Sequence, residues 1–332
     1  MKTNFVKLRW LFTMLLFVTT MIMPTMMLAK SIDLKIPEGD GAGTPYKIGT
    51  AEELYWFAGL VNGTLPGVKK DLSANAILTA NIIVNTGVLD ENKNLVSKSD
   101  LTEWEPIGAR WSPYTGTFDG NGHTISGLYF NKSNSWYVGL FGCIGAEGKI
   151  SNVGVSDSYF QSSNCPYIGG VCGSNSGELQ NCSNSSTVIG KENEYRIGGV
   201  CGYNYGGTIK SCYNTASVSG QYSVGGVCGD NYEGPITNCY YLSGTVADGK
   251  GGIGGKDDEN GKAVEMSKDR FKSGEVAWLL NGSKSVSTEE STLAWYQKLD
   301  ENADAYPVLK STDHNTVYKA PPLLLRRDNP YW

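Results

Sequence analysis

Histidine is nearly absent, with two copies in 332 residues and no His-Glu-x-x-His run. A His-rich metal centre or a metalloprotease helix of that type is excluded. A basic excess is missing as well. Lys plus Arg number 28 against 33 Asp plus Glu, a formal charge of -5 that leaves nothing to counter a phosphate backbone. Nucleic acid is not an expected partner. After residue 29 no apolar run is long enough to cross a bilayer, which takes about 20 consecutive apolar residues in a helix. Between Tyr137 and Val246 the 3.6-residue period of an amphipathic helix is lacking, which excludes helical solenoids. What is abundant is glycine: 42 residues, roughly 13% where about 7% is average. An apolar fraction of 40% suffices for a core, so neither collagen nor a wholly disordered chain is expected.

The N-terminus reads as a segment apart. Lys2, Lys7 and Arg9 precede an apolar run, Trp10–Met23, which is followed by Pro24 and by Ala29, where cleavage fits a secretory leader. The rival, an uncleaved anchor, is poorly served by a run of 14 residues that includes three threonines. Removing residues 1–29 leaves 25 basic against 33 acidic side chains, a balance near -8, and no later membrane span. The expected localisation is secreted or cell-surface.

One motif recurs four times: Gly139-Leu-Phe-Gly142, Gly170-Val-Cys-Gly173, Gly199-Val-Cys-Gly202 and Gly226-Val-Cys-Gly229, at spacings of 31, 29 and 27. A second anchor follows each copy: Ile150-x-x-Val153, Leu179-x-x-Cys182, Ile209-x-x-Cys212 and Ile236-x-x-Cys239. Asn175, Asn204 and Asn231 form a third column, in which the first copy has Ile144. Short β-rich runs punctuated by Gly, Asn and Ser are strands and turns. At about 3.3 Å per residue each unit is a contour of roughly 90–100 Å, enough for one three-sided coil of a right-handed parallel β-helix. The fold class expected is therefore all-β dominated, a solenoid with a short N-terminal capping helix and a mixed C-terminal cap. A propeller or sandwich is the competitor, disfavoured by the irregular coil length and the columns of identical residues.

Stacking places Cys172, Cys201 and Cys228 in one interior column, Cys182, Cys212 and Cys239 in another, and the asparagines in a hydrogen-bonded ladder at a turn. Eight cysteines in an exported chain ordinarily suggest disulfides. Neighbours in a parallel stack point the same way, however, whereas a disulfide needs two Cβ atoms facing at about 3.8 Å. The six column thiols are therefore expected to be free, as small apolar filler. Cys143 and Cys165 stay unassigned.

Upstream, Thr50-Ala-Glu-Glu53 is a capping box, and Leu54, Phe57, Leu60 and Val61 share a helical face that stops at Asn62-Gly63. Ile77–Val84 and Thr117–Phe130 read as strands of early coils, Phe271–Leu280 as a second helix, and Leu293–Leu299 and Tyr306–Leu309 as strands. The organisation expected is a leader at 1–29, an N-terminal cap and irregular coils at 30–103, the repeat helix at 104–247, a polar linker and cap at 248–320, and a tail at 321–332.

The Gly-Val-Cys-Gly copies resemble the GLUG-repeat surface proteins of bacteria. So do the opening Tyr46-x-Ile-Gly-Thr-Ala-Glu-Glu-Leu54, the segment Gly116-Thr-Phe-Asp-Gly-Asn-Gly-His-Thr-Ile-Ser-Gly-Leu128, and the ending Trp278-Leu-Leu-Asn-Gly282 with Tyr306-Pro-Val-Leu309. The resemblance covers about residues 44–318. It implies a secreted parallel β-helix, found also in adhesin-like regions and beside IgA-peptidase domains, with no activity assigned to the repeat. Here no protease motif is present, and Pro321–Trp332 resembles no family ending or anchor.

No catalytic pair emerges. His123, in Asp119-Gly-Asn-Gly-His123, is weighed as an acid–base group and read instead as filler of a tight turn. That segment lacks the full ligand pattern of a calcium loop, and neither metal nor cofactor is expected. Acids at Asp157, Glu178, Glu192, Glu194, Asp230 and Glu233 share no column, as a paired-carboxylate enzyme would require. Tyrosine, at 19 copies, is the better clue. Tyr203, Tyr205 and Tyr232, with Asp230, are the candidate contact residues for glycan or protein, while Tyr137, Tyr167, Tyr195 and Tyr222 recur before each unit's first strand and read as an exterior ladder. The function expected is an exported, adhesin-like binding or scaffold module that contacts a host or neighbouring-cell glycan or protein without catalysis. The alternatives are a carbohydrate-active β-helix enzyme and a structural spacer.

Overall fold

Each Gly-x-x-Gly unit folds as two short strands around a bend, and successive units stack in register. In the computed structural model, which describes residues 32–309 apart from 97–99, 134, 165–166, 192–194, 248–249, 255–262, 284–292 and 300–302, the coils form four parallel sheets. Tyr137–Val138, Tyr167–Gly169, Ile197–Gly198 and Val224–Gly225 make the entry sheet. Phe141–Ile144, Cys172–Asn175, Cys201–Tyr205 and Cys228–Tyr232 make the thiol sheet. A seven-stranded sheet runs from Tyr46–Ile48 to Ile236–Thr237, and a nine-stranded one from Ile82–Ile83 to Ala263–Met266. The chain is a parallel β-helix. The leader expected at 1–29, Cys165, and the tail at 321–332 lie outside the described residues.

The coil meets four ladders rather than three because the repeat motif itself turns. A Cβ on Gly170 or Gly199 would stand 2.3 Å from the Asn184 or Asn214 side chain. On Gly173, Gly202 or Gly229 it would stand 2.7, 2.6 or 2.3 Å from the backbone nitrogen of Val138, Ile168 or Ile197 in the coil before. The opening glycine thus admits a buried side chain, and the closing glycine admits the neighbouring backbone. Another corner repeats before the second anchor, where Asn152, Asn181, Ser211 and Asn238 hold φ between 51° and 53°. Asn populates this left-handed region more readily than most residues.

Parallel pairing extends past both edges of residues 104–247. Tyr46–Ile48 pairs with Ala76–Leu78 at the start, and Ile253 with Cys228 and Ala263–Met266 with Cys239–Leu242 at the end. One buried core runs from Ile48 to Ala263. At the N-terminal end the helix Ala51–Asn62 seats Phe57 against Phe118 and Tyr114, with ring centroids 6.0 and 6.1 Å apart. Thr50 Oγ1 accepts from Glu53 N, and the Glu53 carboxylate reaches Gly49 N, one residue further back than a standard capping box. Gly63, in the left-handed region, closes the helix.

The second helix differs from the expectation. Gly274, with φ of 83°, splits it into Lys268–Lys272 and Glu275–Leu280. Nor does this segment sit over the end of the core. Tyr213 and Tyr240 point out of the nine-stranded sheet while their neighbours Cys212, Cys239 and Tyr241 point in, and Phe271, Val276, Leu280 and Trp295 pack on that outer flank as a separate cluster. Trp295 Nε1 donates to Ser211 O at 3.1 Å and Tyr213 Oη to Pro307 O at 2.7 Å. The C-terminal segment is a lateral buttress.

Candidate functional site

Inside the coil the repeat columns are thiol and amide. Cys172, Cys201 and Cys228 are register partners and fully buried, and no disulfide joins the described cysteines. Cys182, Cys212 and Cys239 stack likewise, each donating its thiol to the carbonyl two residues back, at 3.3, 3.2 and 3.3 Å. Burial pushes the Cys201, Cys212, Cys228 and Cys239 thiols well above their ordinary range. Thiols held protonated in this way are poor nucleophiles at neutral pH. Cys143, outside the columns, faces outward in the thiol sheet and is raised to about 11 by burial.

Asn175 Nδ2 donates to Asn204 Oδ1 at 2.8 Å, and Asn204 Nδ2 to Asn231 Oδ1 at 2.8 Å, with the spare amide hydrogen of Asn175 directed at Thr208 O in the next coil and that of Asn204 at Gly207 O in its own. Sequence reasoning missed a second buried ladder, Asn184 to Asn214 at 2.9 Å. Its amides fill the space left by the missing Cβ of the opening glycines Gly170 and Gly199.

The outside of the coil carries stacked tyrosines. Tyr137 stacks on Tyr167 at 4.9 Å, Tyr167 on Tyr203 at 5.4 Å, Tyr203 touches Tyr205 at 5.7 Å, and Tyr205 stacks on Tyr232 at 5.4 Å. Five rings therefore run continuously across the entry and thiol sheets. Tyr205 and Tyr232 are register partners, 55% and 50% exposed, and neither hydroxyl bonds to a described residue. The Arg196 guanidinium lies 4.6 Å from the Tyr203 centroid and 5.4 Å from that of Tyr167, and its Nε donates to Asp230 at 2.9 Å. Burial raises the Tyr203 phenol above its ordinary value, with Arg196 pulling the other way.

Tyr195 and Tyr222 do not join Tyr137 and Tyr167. They stack on each other at 5.1 Å, because Arg196 and Ser223 take the register position of Tyr167 and hold positive φ, which moves each tyrosine one place earlier. The single exterior ladder expected is therefore two columns. Trp136 occupies the same place as Tyr195 and Tyr222, two residues before the aligned Val138, and is 54% exposed.

The groups weighed for acid–base work make local hydrogen bonds. His123 is buried, with its Nδ1 3.3 Å from Asn81 Oδ1, while Asp119 Oδ1 accepts from Asn121 N and the Asn152 amide. Glu103 and Glu105 flank Lys132 at 3.1 and 3.6 Å on open surface, which reads as an ion pair. A concavity between Gly220 and Thr245 holds one charged side chain, Lys250. Among the described residues no three His, Cys, Asp or Glu side chains converge, and no described helix is long and apolar enough to cross a membrane.

Comparison with known proteins gives a family match at residues 193–219, to the GLUG motif. A provisionally named Gly-rich membrane protein of Evansella cellulosilytica is 35% identical over 92 residues, which is 25% of this chain and 11% of the relative. Halomucin of Haloquadratum walsbyi is 38% identical over 88 residues, 24% of this chain and 1% of the relative. The chain thus spans a small fraction of the length of these relatives. A Bacteroides ovatus structure provisionally described as an immunoglobulin A1 protease aligns with 83% of this chain and 95% of its own, at 18% identity and a TM-score of 0.44.

Proposed function

For this GLUG-repeat chain we propose the role of an exported, surface-associated binding module that uses its tyrosine strip to contact glycan or protein and performs no catalysis. The carrying observation is the continuous run Tyr137–Tyr167–Tyr203–Tyr205–Tyr232 with unspent hydroxyls at its exposed end. Stacking occupies the ring faces, so what meets solvent is a row of ring edges and phenolic tips. Such a row offers apolar contact and hydrogen bonds together, and its rigid two-angle side chains lose little entropy on binding. The leader read at residues 1–29 and the membrane-protein name of one relative support export.

The test is a glycan array and a mucin overlay with purified protein, repeated with Tyr205→Ala/Tyr232→Ala. The double variant is expected to lose about tenfold in affinity while its unfolding midpoint stays close to that of the parent. Turnover of uronate-containing or neutral polysaccharide, abolished by one Asp or Glu substitution, would instead decide for an enzyme. Binding to nothing would leave a spacer.

A further inference from the structure

Arg110 and Trp111 form the tip of a two-residue hairpin. Ala109 N donates to Ser112 O at 3.0 Å and Ser112 N to Ala109 O at 2.9 Å. The hairpin leaves the solenoid between two fixed points, because Ile107 pairs with Phe141 and Tyr114 with Ile144 in the thiol sheet, and Gly108 N donates to Asn62 Oδ1 at 2.9 Å. The tip is therefore braced on both sides. Trp111 is nonetheless 85% exposed, the most exposed large apolar side chain among the described residues, and Trp136 is 54% exposed. Both indoles lie on one guanidinium: the Arg110 Cζ is 4.7 Å from the Trp111 ring centroid and 5.4 Å from that of Trp136.

Three features of this cluster point to a ligand. Arg196 and Arg270 each have a carboxylate partner, Asp230 and Glu275, but among the described residues no carboxylate lies within ion-pairing distance of Arg110. Neither does any described group accept a hydrogen bond from its guanidinium or from the Trp111 and Trp136 indole nitrogens. The cluster is thus made of donors alone, five N–H on Arg and one on each indole, which suits an acceptor-rich anion. The two indole planes hold the guanidinium in place, so little entropy is lost when its fork closes on a carboxylate. Only one positive charge is present, which matches a carboxylate better than a phosphate dianion. Trp111 also presents broad apolar surface to solvent, and the adjoining Tyr137 leads directly into the tyrosine strip.

From this geometry we propose that Arg110, Trp111 and Trp136 form a binding site for a carboxylate-bearing sugar residue of a glycan. The carboxylate sits on the Arg110 fork, the sugar ring lies against Trp111, and the neighbouring sugars run toward Tyr137. The inference rests on the reading of the molecule as a binding module, and it narrows the ligand to acidic glycan.

The experiment uses the full chain and three glycans, each in free-acid and carboxyl-reduced form: polygalacturonate, hyaluronan and polysialic acid, with tryptophan fluorescence and biolayer interferometry as readouts. At least one free acid is expected to bind about tenfold more tightly than its reduced form, with the indole emission shifting. Arg110→Gln should abolish that preference, Arg110→Lys should restore it only in part because the planar fork is lost, and Trp111→Ala should weaken binding about tenfold. All three side chains are on the surface, so thermal unfolding should match the parent. The proposal is overturned if no free acid is preferred over its reduced form, if Arg110→Gln leaves the preference intact, or if sulfated dextran binds as tightly as the preferred acid. The Tyr205→Ala/Tyr232→Ala variant separates the two readings. Binding lost there but untouched by Arg110→Gln and Trp111→Ala would sink this site and leave the tyrosine strip standing, whereas the absence of any glycan or protein binding would sink both.

Discussion

A thiol held between two other thiols in a dry column keeps its proton, and this has a measurable consequence for stability. In the folded chain Cys201, Cys212, Cys228 and Cys239 are raised well above the ordinary thiol range by burial, while in the unfolded chain they titrate near 8.5. A raised folded value means that the stabilisation is complete below the unfolded pKa and is lost as pH climbs toward the folded one. Urea midpoints should therefore be flat up to about pH 8 and fall above it, each buried thiol contributing about 1.4 kcal/mol per pH unit. Cys201→Ala should cost on the order of 1 kcal/mol at pH 7 and make the alkaline fall shallower. Folded protein should react slowly with thiol reagents, and denatured protein fully. A steep alkaline loss unaffected by Cys201→Ala would remove the thiols as its cause. The amide ladder gives a second residue-scale prediction. Asn204 bonds to asparagines on both sides and is fully buried, whereas Asn231 ends the row half-buried. Asn204→Ala should cost about 2–4 kcal/mol, since it strands buried partners, and Asn231→Ala clearly less. Equal costs would mean that the ladder carries little energy.

At the scale of the element, the repeat motif works because its glycines are places where another coil comes too close for a side chain. Gly202→Ala would set a methyl 2.6 Å from Ile168 N and 2.7 Å from Gly173 O, backbone that cannot yield as a flexible side chain would. A loss above about 3 kcal/mol, or failure to fold, is expected by denaturant titration. Gly206 is the control, with the same residue type at φ of 73° and no atom within 4 Å of a Cβ; Gly206→Asn should stay within about 1 kcal/mol. If the two variants lose stability alike, close approach is the wrong account. The same reasoning explains what was legible in the sequence. Glycine and cysteine columns recur because sterics force them, so the coil, its register and the Asn175–Asn204–Asn231 row could be read directly. The Asn184–Asn214 ladder could not, since Val155 and Tyr241 occupy its place in the flanking coils. The tyrosine columns misled because one residue of positive φ, Arg196 or Ser223, shifts a side chain without changing the apparent spacing. The Gly274 break is hidden in the sequence because Phe271, Trp278 and Leu279 keep the i, i+7, i+8 spacing of one helical face across it. Trp111 and Trp136 carried no signal at all: a lone tryptophan is ordinarily core, and nothing in the residue type announces 85% exposure.

For the whole molecule, a stack in which each coil touches chiefly its neighbours behaves as a one-dimensional chain of interfaces, and its ends are weaker than its middle. The two ends here are finished differently. At the start, Phe57, Phe118, Tyr114 and Phe141 form a continuous aromatic plug inside the core. Toward the finish, the last coils depend on a buttress laid against their outer flank, with Trp295 packed 5.1 Å from Tyr213 and bonded to Ser211 O. Trp295→Ala removes a fully buried indole and that hydrogen bond, a loss of about 3–5 kcal/mol to the buttress. Because the two hydrophobic clusters are separate, the damage should stay local. Hydrogen exchange followed by mass spectrometry is expected to show faster exchange in peptides covering 211–214, 239–242 and 268–280, with the coils from Tyr46 to Ser163 unchanged. Exchange that rises uniformly along the chain would show instead that the buttress and the solenoid fold as one cooperative unit, and the picture of separable ends would have to go.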